Sequence, residues 1–347
     1  MLKHCFRTLI LMLALCGFTV AQAATGDARI TVLYDAFGKA SGLTKDWGYA
    51  ALVEYRGKRI LFDTGDNPDI LLKNAKAKGV DLAKLDCVVL SHRHGDHMAG
   101  LTEILKLNPG VKVYAPKENF GVYGFSLPSS FYRKDAGLPA EQRYFDGQPA
   151  ETLKFGSAWH GANFELIEKT TEIAPGIHLI ALVSDKTGTL ELRELSLAID
   201  TPEGVVVIVG CSHPGVDKIA EAARAINPRI QLIAGGFHLV TAKDEDIAKI
   251  VSTLRDTYQV AYVAPGHCTG EPTFRAFIEA WGKNYLYAGL GVTLELGTQP
   301  RAVAHGGHAA PVTPDDADWR DYRAFATVGH DHEERALAGH RHADHEH

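Results

Sequence analysis

Three histidines and an aspartate fall within six residues, His92-Arg93-His94-Gly95-Asp96-His97. The run follows 85–90, a short apolar stretch that predicts a buried strand. Residues two apart in extended backbone point the same way, so His92 and His94 can present two imidazoles to one metal ion. Gly95 permits a sharp turn. Asp96 and His97 then enter a helix predicted over 97–107 and face a neighbouring position. Imidazoles with one carboxylate suit zinc, iron or manganese. The pattern favours two metal ions held close together by one short loop.

Two ions need more donors than this loop offers, and three further segments repeat its design. A predicted strand at 205–209 runs into Gly210-Cys211-Ser212-His213-Pro214-Gly215. Another at 230–234 runs into Gly235-Gly236-Phe237-His238-Leu239, and a third into Pro265-Gly266-His267-Cys268-Thr269-Gly270. Each is a strand, a glycine turn and a histidine, a device that projects side chains from a rigid scaffold. Leu61-Phe62-Asp63-Thr64-Gly65 fits the same scheme. Asp63 can orient a ligand histidine from behind or cap the turn before Gly65, and the two roles are compatible.

Strands are expected at 28–37, 50–55, 59–62 and 111–115, with a helix at 68–78. A second set has strands at 177–183, 195–199, 205–209, 230–234, 261–264 and 292–296, with helices at 215–225, 244–254 and 272–281. Two clusters of strands with helices between them predict two sheets packed face to face with helices outside. With 46% hydrophobic residues the chain can bury a sizeable core. Its net charge of −6 argues against nucleic acid as a partner.

Residues 1–23 read as a signal peptide: Lys3 and Arg7, an apolar run over 9–20, then Ala21-Gln22-Ala23. That predicts a periplasmic or secreted protein with no stable membrane insertion after cleavage. The main domain is drawn at 24–297. Within it, 117–160 carries nine of the thirty aromatics, interleaved with Arg133, Lys134 and Arg143. This segment is read as a lid or substrate wall whose cations complement an anionic small molecule. The stretch 298–347 holds eight histidines and little apolar periodicity, and is read as a disordered, metal-attracting tail. Cys87 reads as core; Cys211 and Cys268, each beside a histidine, do not.

The His-x-His-x-Asp-His run, with Asp63 before it, resembles the metallo-β-lactamase superfamily. The Gly210–Gly215, Gly235–Leu239 and Pro265–Gly270 turns, with Trp47-Gly48-Tyr49, resemble its subgroup of methanopterin-pathway dihydropterin ribofuranosylaminobenzene 5'-phosphate synthases. The resemblance implies an α/β, four-layer αββα sandwich with two mixed sheets face to face. It also implies His92, His94 and His213 around one divalent ion, and Asp96, His97 and His267 around another, with zinc preferred to iron or manganese. Where much of the superfamily has a bridging aspartate, this chain has Cys211, so the bridge is a thiolate or is missing. Asp96 and His238 are the candidate catalytic residues, and His238 is read as a hydrogen-bond donor to substrate.

The expected activity is hydrolysis of a phosphoester, lactone or similar bond by a metal-bound hydroxide. One alternative is a transferase of the synthase type. Another is a periplasmic metal-binding or metal-delivery protein that uses the histidine-rich tail. Removing 298–347 separates enzyme from carrier: an enzyme keeps its turnover and loses only loosely held metal, whereas a carrier loses its function.

Overall fold

Apolar alternation along the first strands sets the order of the layers. In β1 (Arg29–Tyr34), β2 (Ala50–Tyr55) and β3 (Lys58–Phe62), the side chains of Ile30, Val32, Ala51, Val53, Ile60 and Phe62 join the core shared with a second sheet. Leu33, Ala50, Leu52 and Leu61 join a separate core with Leu71 and Ala75 of α1 (Pro68–Ala77) and Leu101 and Ile104 of α3 (Leu101–Leu107). A period of two thus gives each face of the sheet its own partner.

This computed structural model describes residues 28–39, 42–118, 125–131, 136–137, 139, 143–155, 159 and 161–304. Residues 1–23, where a signal peptide is expected, Arg133, Lys134 and the eight histidines from His305 onward lie outside the described residues.

The first sheet adds β4 (Cys87–Val89), β5 (Lys112–Pro116), β8 (Asn163–Ile167), β15 (Thr293–Glu295) and β16 (Arg301–Val303), in the order β16-β15-β1-β2-β3-β4-β5-β8. The second contains β9 (Thr171–Ala174), β10 (Ile177–Val183), β11 (Arg193–Thr201), β12 (Gly204–Val209), β13 (Ile230–Gly236) and β14 (Tyr262–Gly266), in the order β14-β13-β12-β11-β10-β9. Helices α4 (Val216–Ala223), α5 (Asp244–Ser252) and α6 (Glu271–Trp281) belong to this half, with α4 against β10 and β13 and α6 against β14. Both sheets mix parallel and antiparallel pairs, as the αββα sandwich requires. Among the described residues no helix is long and apolar enough to cross a membrane.

Two parallel runs position the turns that carry the histidines. β3, β4 and β5 are parallel neighbours in one sheet, and β12, β13 and β14 are parallel neighbours in the other. Parallel strands end level with one another, and ligands of α/β sheets gather at carboxyl ends. Asp63 follows β3, and His92 to His97 follow β4. Cys211 to His213 follow β12, His238 follows β13, and His267 with Cys268 follows β14.

Several expectations need correction. The strand drawn at 85–90 is only Cys87–Val89, so His92 and His94 meet through a bend and not through extended backbone. The helix drawn at 97–107 is two, α2 (Gly95–Met98) and α3. They part at Gly100, where a Cβ would lie 2.2 Å from the Thr64 carbonyl oxygen. The aromatic segment contains a two-stranded sheet, β6 (Phe125–Pro128) paired with β7 (Thr152–Phe155). Its Trp159 packs on the outer core and donates to Thr102 Oγ1 at 3.1 Å, so this ring belongs to the α3 layer. The domain does not stop at 297, because β16 pairs with β15 and extends the sheet to Val303. A truncation that keeps β16 therefore removes no residue before 304.

Asn74 ties the outer helix to this frame. Its buried amide donates to Leu33 O at 3.1 Å and Thr44 O at 2.9 Å, and accepts from Thr44 N at 2.8 Å. Asn74→Ala strands buried backbone groups and is expected to lower stability by about 1–3 kcal/mol, measured by urea unfolding.

Candidate metal centre

Asp63 is fully buried, and one carboxylate serves three partners. Oδ1 accepts the Ser91 amide at 2.6 Å. Oδ2 accepts the Ser91 hydroxyl at 2.7 Å and faces His97 Nδ1 at 2.7 Å. Ser91 Oγ, its proton given to Asp63, lies 2.8 Å from His92 Nδ1. That nitrogen must then be the donor. Nδ1 of both His92 and His97 thus points back at this network, and Nε2 of each faces inward.

Those nitrogens meet others. His92 Nε2 is 3.0 Å from His94 Nδ1 and 3.3 Å from His213 Nε2. His97 Nε2 is 3.2 Å from His267 Nε2, and Asp96 Oδ2 lies 3.5 and 3.4 Å from the same two nitrogens. Donors on a tetrahedral ion with bonds of about 2.0–2.1 Å stand about 3.3–3.4 Å apart. His92, His94 and His213 form one compact set, and Asp96, His97 and His267 another. Cys211 Sγ, 3.2 Å from His97 Nε2, joins His92 and His97 in a set between them.

Burial, reinforced by neighbouring imidazoles, pushes His92 and His213 well below the ordinary histidine range. Burial also takes His94 down to about 4, against the pull of Asp96. Burial would depress His97 as well, but Asp96 and Asp63 override it and hold the ring up at about 9. Burial acts to raise Asp96, yet His97 and His267 keep its carboxyl well below the usual range. The site thus contains an ionised carboxylate beside a ring that favours its proton, His97, and three imidazoles that resist protonation, His92, His94 and His213.

Two more buried carboxylates hold the other turns. Glu194, in β11, accepts the amides of Cys211 at 3.1 Å and Ser212 at 2.7 Å on Oε1, and of His213 at 2.7 Å on Oε2. Asp35 accepts the His267 amide at 3.0 Å and the Ala36 amide at 2.7 Å. Burial pushes each up to about 7 despite its amide donors. Neither was singled out from sequence. The signal was a carboxylate at the end of or within an apolar strand, which is expensive unless paired. Ser91 was also missed, and Cys268 was set apart from the core without a site role. Left-handed backbone marks the same turns: Asp63 (φ 58°), Ser212 (φ 64°), His238 (φ 48°) and His267 (φ 43°) are four of the eight such non-glycine residues described.

The remaining candidates divide. His238 enters the cluster, its ring 4.2 Å from that of His213 and its side chain bonded to Cys268. Trp47 lies 5.0 Å, ring to ring, from His267. Arg143 is not joined to the cluster by any described contact. Its guanidinium packs over Gly147, where a Cβ would come within 2.7 Å of it.

Comparison with known proteins accords with this arrangement. The profile described as the Metallo-beta-lactamase superfamily matches residues 48–267. The 7,8-dihydropterin-6-methyl-4-(beta-D-ribofuranosyl)-aminobenzene-5'-phosphate synthase of Methanocaldococcus jannaschii is 27% identical over 289 residues, covering 75% of this chain and 94% of its own. An uncharacterized protein of the same organism is 30% identical over 261 residues, covering 70% of this chain and 91% of its own. Among solved structures, a metal-dependent hydrolase of the beta-lactamase superfamily is 30% identical with a TM-score of 0.57, covering 78% of this chain and 99% of that one. The subgroup read from the glycine turns is thus matched by sequence similarity, and the sandwich by structure.

Glu194→Ala would leave three buried amides without an acceptor and is expected to cost about 3 kcal/mol or more. Glu194→Gln should cost less, since its carbonyl oxygen can still take two of them. Thermal unfolding of the two variants beside the parent checks the order.

Proposed function

Because this chain belongs to the metallo-beta-lactamase superfamily, we propose that it is a metal-dependent hydrolase that uses two divalent ions, zinc by preference, on a small anionic phosphoester, lactone or related substrate. The observation that carries this reading is the convergence of buried ring nitrogens. His92 and His213 set Nε2 against Nε2 at 3.3 Å, and His97 and His267 do so at 3.2 Å, while Nδ1 of His92 and of His97 is engaged behind the site. The outer nitrogens of His213 and His267 are buried and have no hydrogen-bond partner among the described residues. Such a cluster is costly alone and is relieved by a cation, so the residues present fit the group.

His92, His94 and His213 would hold one ion, and Asp96, His97 and His267 the other. When bound, divalent ions supply Lewis acidity, which activates water and offsets negative charge developing on a substrate oxygen. The protein's own part is to fix the donors. Asp63 and Ser91 lock two tautomers, Glu194 and Asp35 anchor two turns, and Asp96 remains ionised as an acceptor that can orient water. The hydrolase relative of known structure supports this reading.

A second reading has its own support in the similarity to the synthase, which extends over most of both chains. It makes the chain a transferase at the same centre. Turnover in ¹⁸O-labelled water distinguishes them, since hydrolysis places the label in product and transfer to another acceptor does not.

Chelation of the purified protein should abolish turnover in a screen of phosphodiesters, phosphomonoesters and lactones, and zinc, manganese or iron should restore it. His92→Ala and His267→Ala should each cut kcat/KM by more than about 100-fold, beyond the 10–100-fold typical of residues that only support a ligand. Intact metal content and turnover in both variants would refute the reading.

A further inference from the structure

Beside the two imidazole sets lies a group of donors that neither absorbs. Cys268 Sγ is 3.3 Å from Cys211 Sγ, and its side chain is also bonded to His238. Donor atoms of Cys211, His238 and Cys268 all lie within 4.8 Å of one another. Three successive turns, after β12, β13 and β14, supply one donor each. Both cysteines are buried and both are free thiols.

Packing alone does not account for the pair. A cysteine kept only as a small apolar filler is expected among apolar side chains. Here the thiols face each other, His238 and the Nε2 of His97. The backbone makes room for them: a Cβ on Gly236 would lie 2.9 Å from Cys268 Sγ and 2.3 Å from Gly210 O. Cys211 also shares a set with His92 and His97, so it stands where the groups meet.

We propose that Cys211, His238 and Cys268 form a third, thiolate-bearing ligand set that takes a thiophilic divalent ion, zinc, next to the two histidine-based sets. Zinc bonds thiolate at about 2.3 Å and imidazole at about 2.0–2.1 Å in tetrahedral geometry. Such bonds place the donors about 3.5–3.8 Å apart, within reach of side chains already this close. Loading replaces the two S–H bonds with Zn–S bonds and releases two protons to solvent. No electrons move. The proposal rests on the reading of the adjoining imidazoles as metal ligands and does not depend on which reaction they serve.

Zinc K-edge absorption and metal analysis of the full-length, zinc-saturated protein test it. Sulfur neighbours at about 2.3 Å are expected beside nitrogen at about 2.0–2.1 Å. Cys268→Ser should remove one zinc per chain and, with it, the sulfur amplitude. Cys87→Ser, in β4 and outside every donor group, should change neither. Zinc bound with only nitrogen and oxygen neighbours overturns the third set alone. A sulfur signal unmoved by Cys268→Ser does the same. Failure to bind zinc at all overturns this proposal together with the metal reading of the histidines. Should Cys268→Ser not fold, the zinc content of the parent protein decides the matter: three ions per chain support the third set, and two overturn it.

Discussion

The buried carboxylate of Asp63 ties the end of one strand to the loop that carries four of the site's donors. From the end of β3 it reaches the amide and hydroxyl of Ser91 after β4, and the ring of His97 at the end of that loop. Through Ser91 it also sets the proton of His92. One buried carboxylate therefore fixes ring tautomers in both imidazole sets. Space around it is equally constrained. A Cβ on Gly210 would lie 2.2 Å from Ser91 Oγ and 3.0 Å from Asp63 Oδ2, so the second sheet can close over the network only where that residue has no side chain. The Leu195 amide then bonds Ser91 O at 2.8 Å and links the two sheets at the same point.

The other turns use the same device. Glu194 anchors the Cys211–His213 turn and Asp35 the His267 turn, each by backbone amides. Left-handed backbone at Ser212 and His267 is disfavoured by itself, by about 1–3 kcal/mol per residue in surveys of strained positions. It persists where the surroundings over-determine it, and a buried carboxylate accepting amide bonds is such a surrounding. Thr269 reinforces the arrangement, accepting the Phe237 amide at 3.1 Å and donating to Gly266 O at 2.6 Å. Donors from separate turns are thereby held within about half an ångström of ideal ligand spacing.

Much of this was legible in advance because it depends on local pattern. Period-two apolar runs gave the strands, and Asn67-Pro68-Asp69 marks the start of α1 with a side-chain cap, a proline and an acidic first turn. Strand-glycine-histidine turns gave the cluster's members. Strands with weak apolar contrast, such as β8 with only Ile167 buried, were not legible, since sheet pairing rather than composition selects them. β16 was missed for the same reason: three residues that exist as a strand by pairing with β15.

By itself the sequence determined the donors: which residues carry imidazole, carboxylate and thiol, and that each follows a strand and a glycine turn. Chemistry resides in residue type, and local geometry in short-range periodicity, so both survive without coordinates. Only the tertiary structure decided their grouping. It set His213 beside His92, His267 beside His97, and Cys268 3.3 Å from Cys211, across separations of 121, 170 and 57 residues. It also showed that Asp35 and Glu194, unremarkable in the chain, hold the turns on which those donors sit. Sheet pairing and layer packing bring distant strand ends level, and no local pattern records which ends will meet.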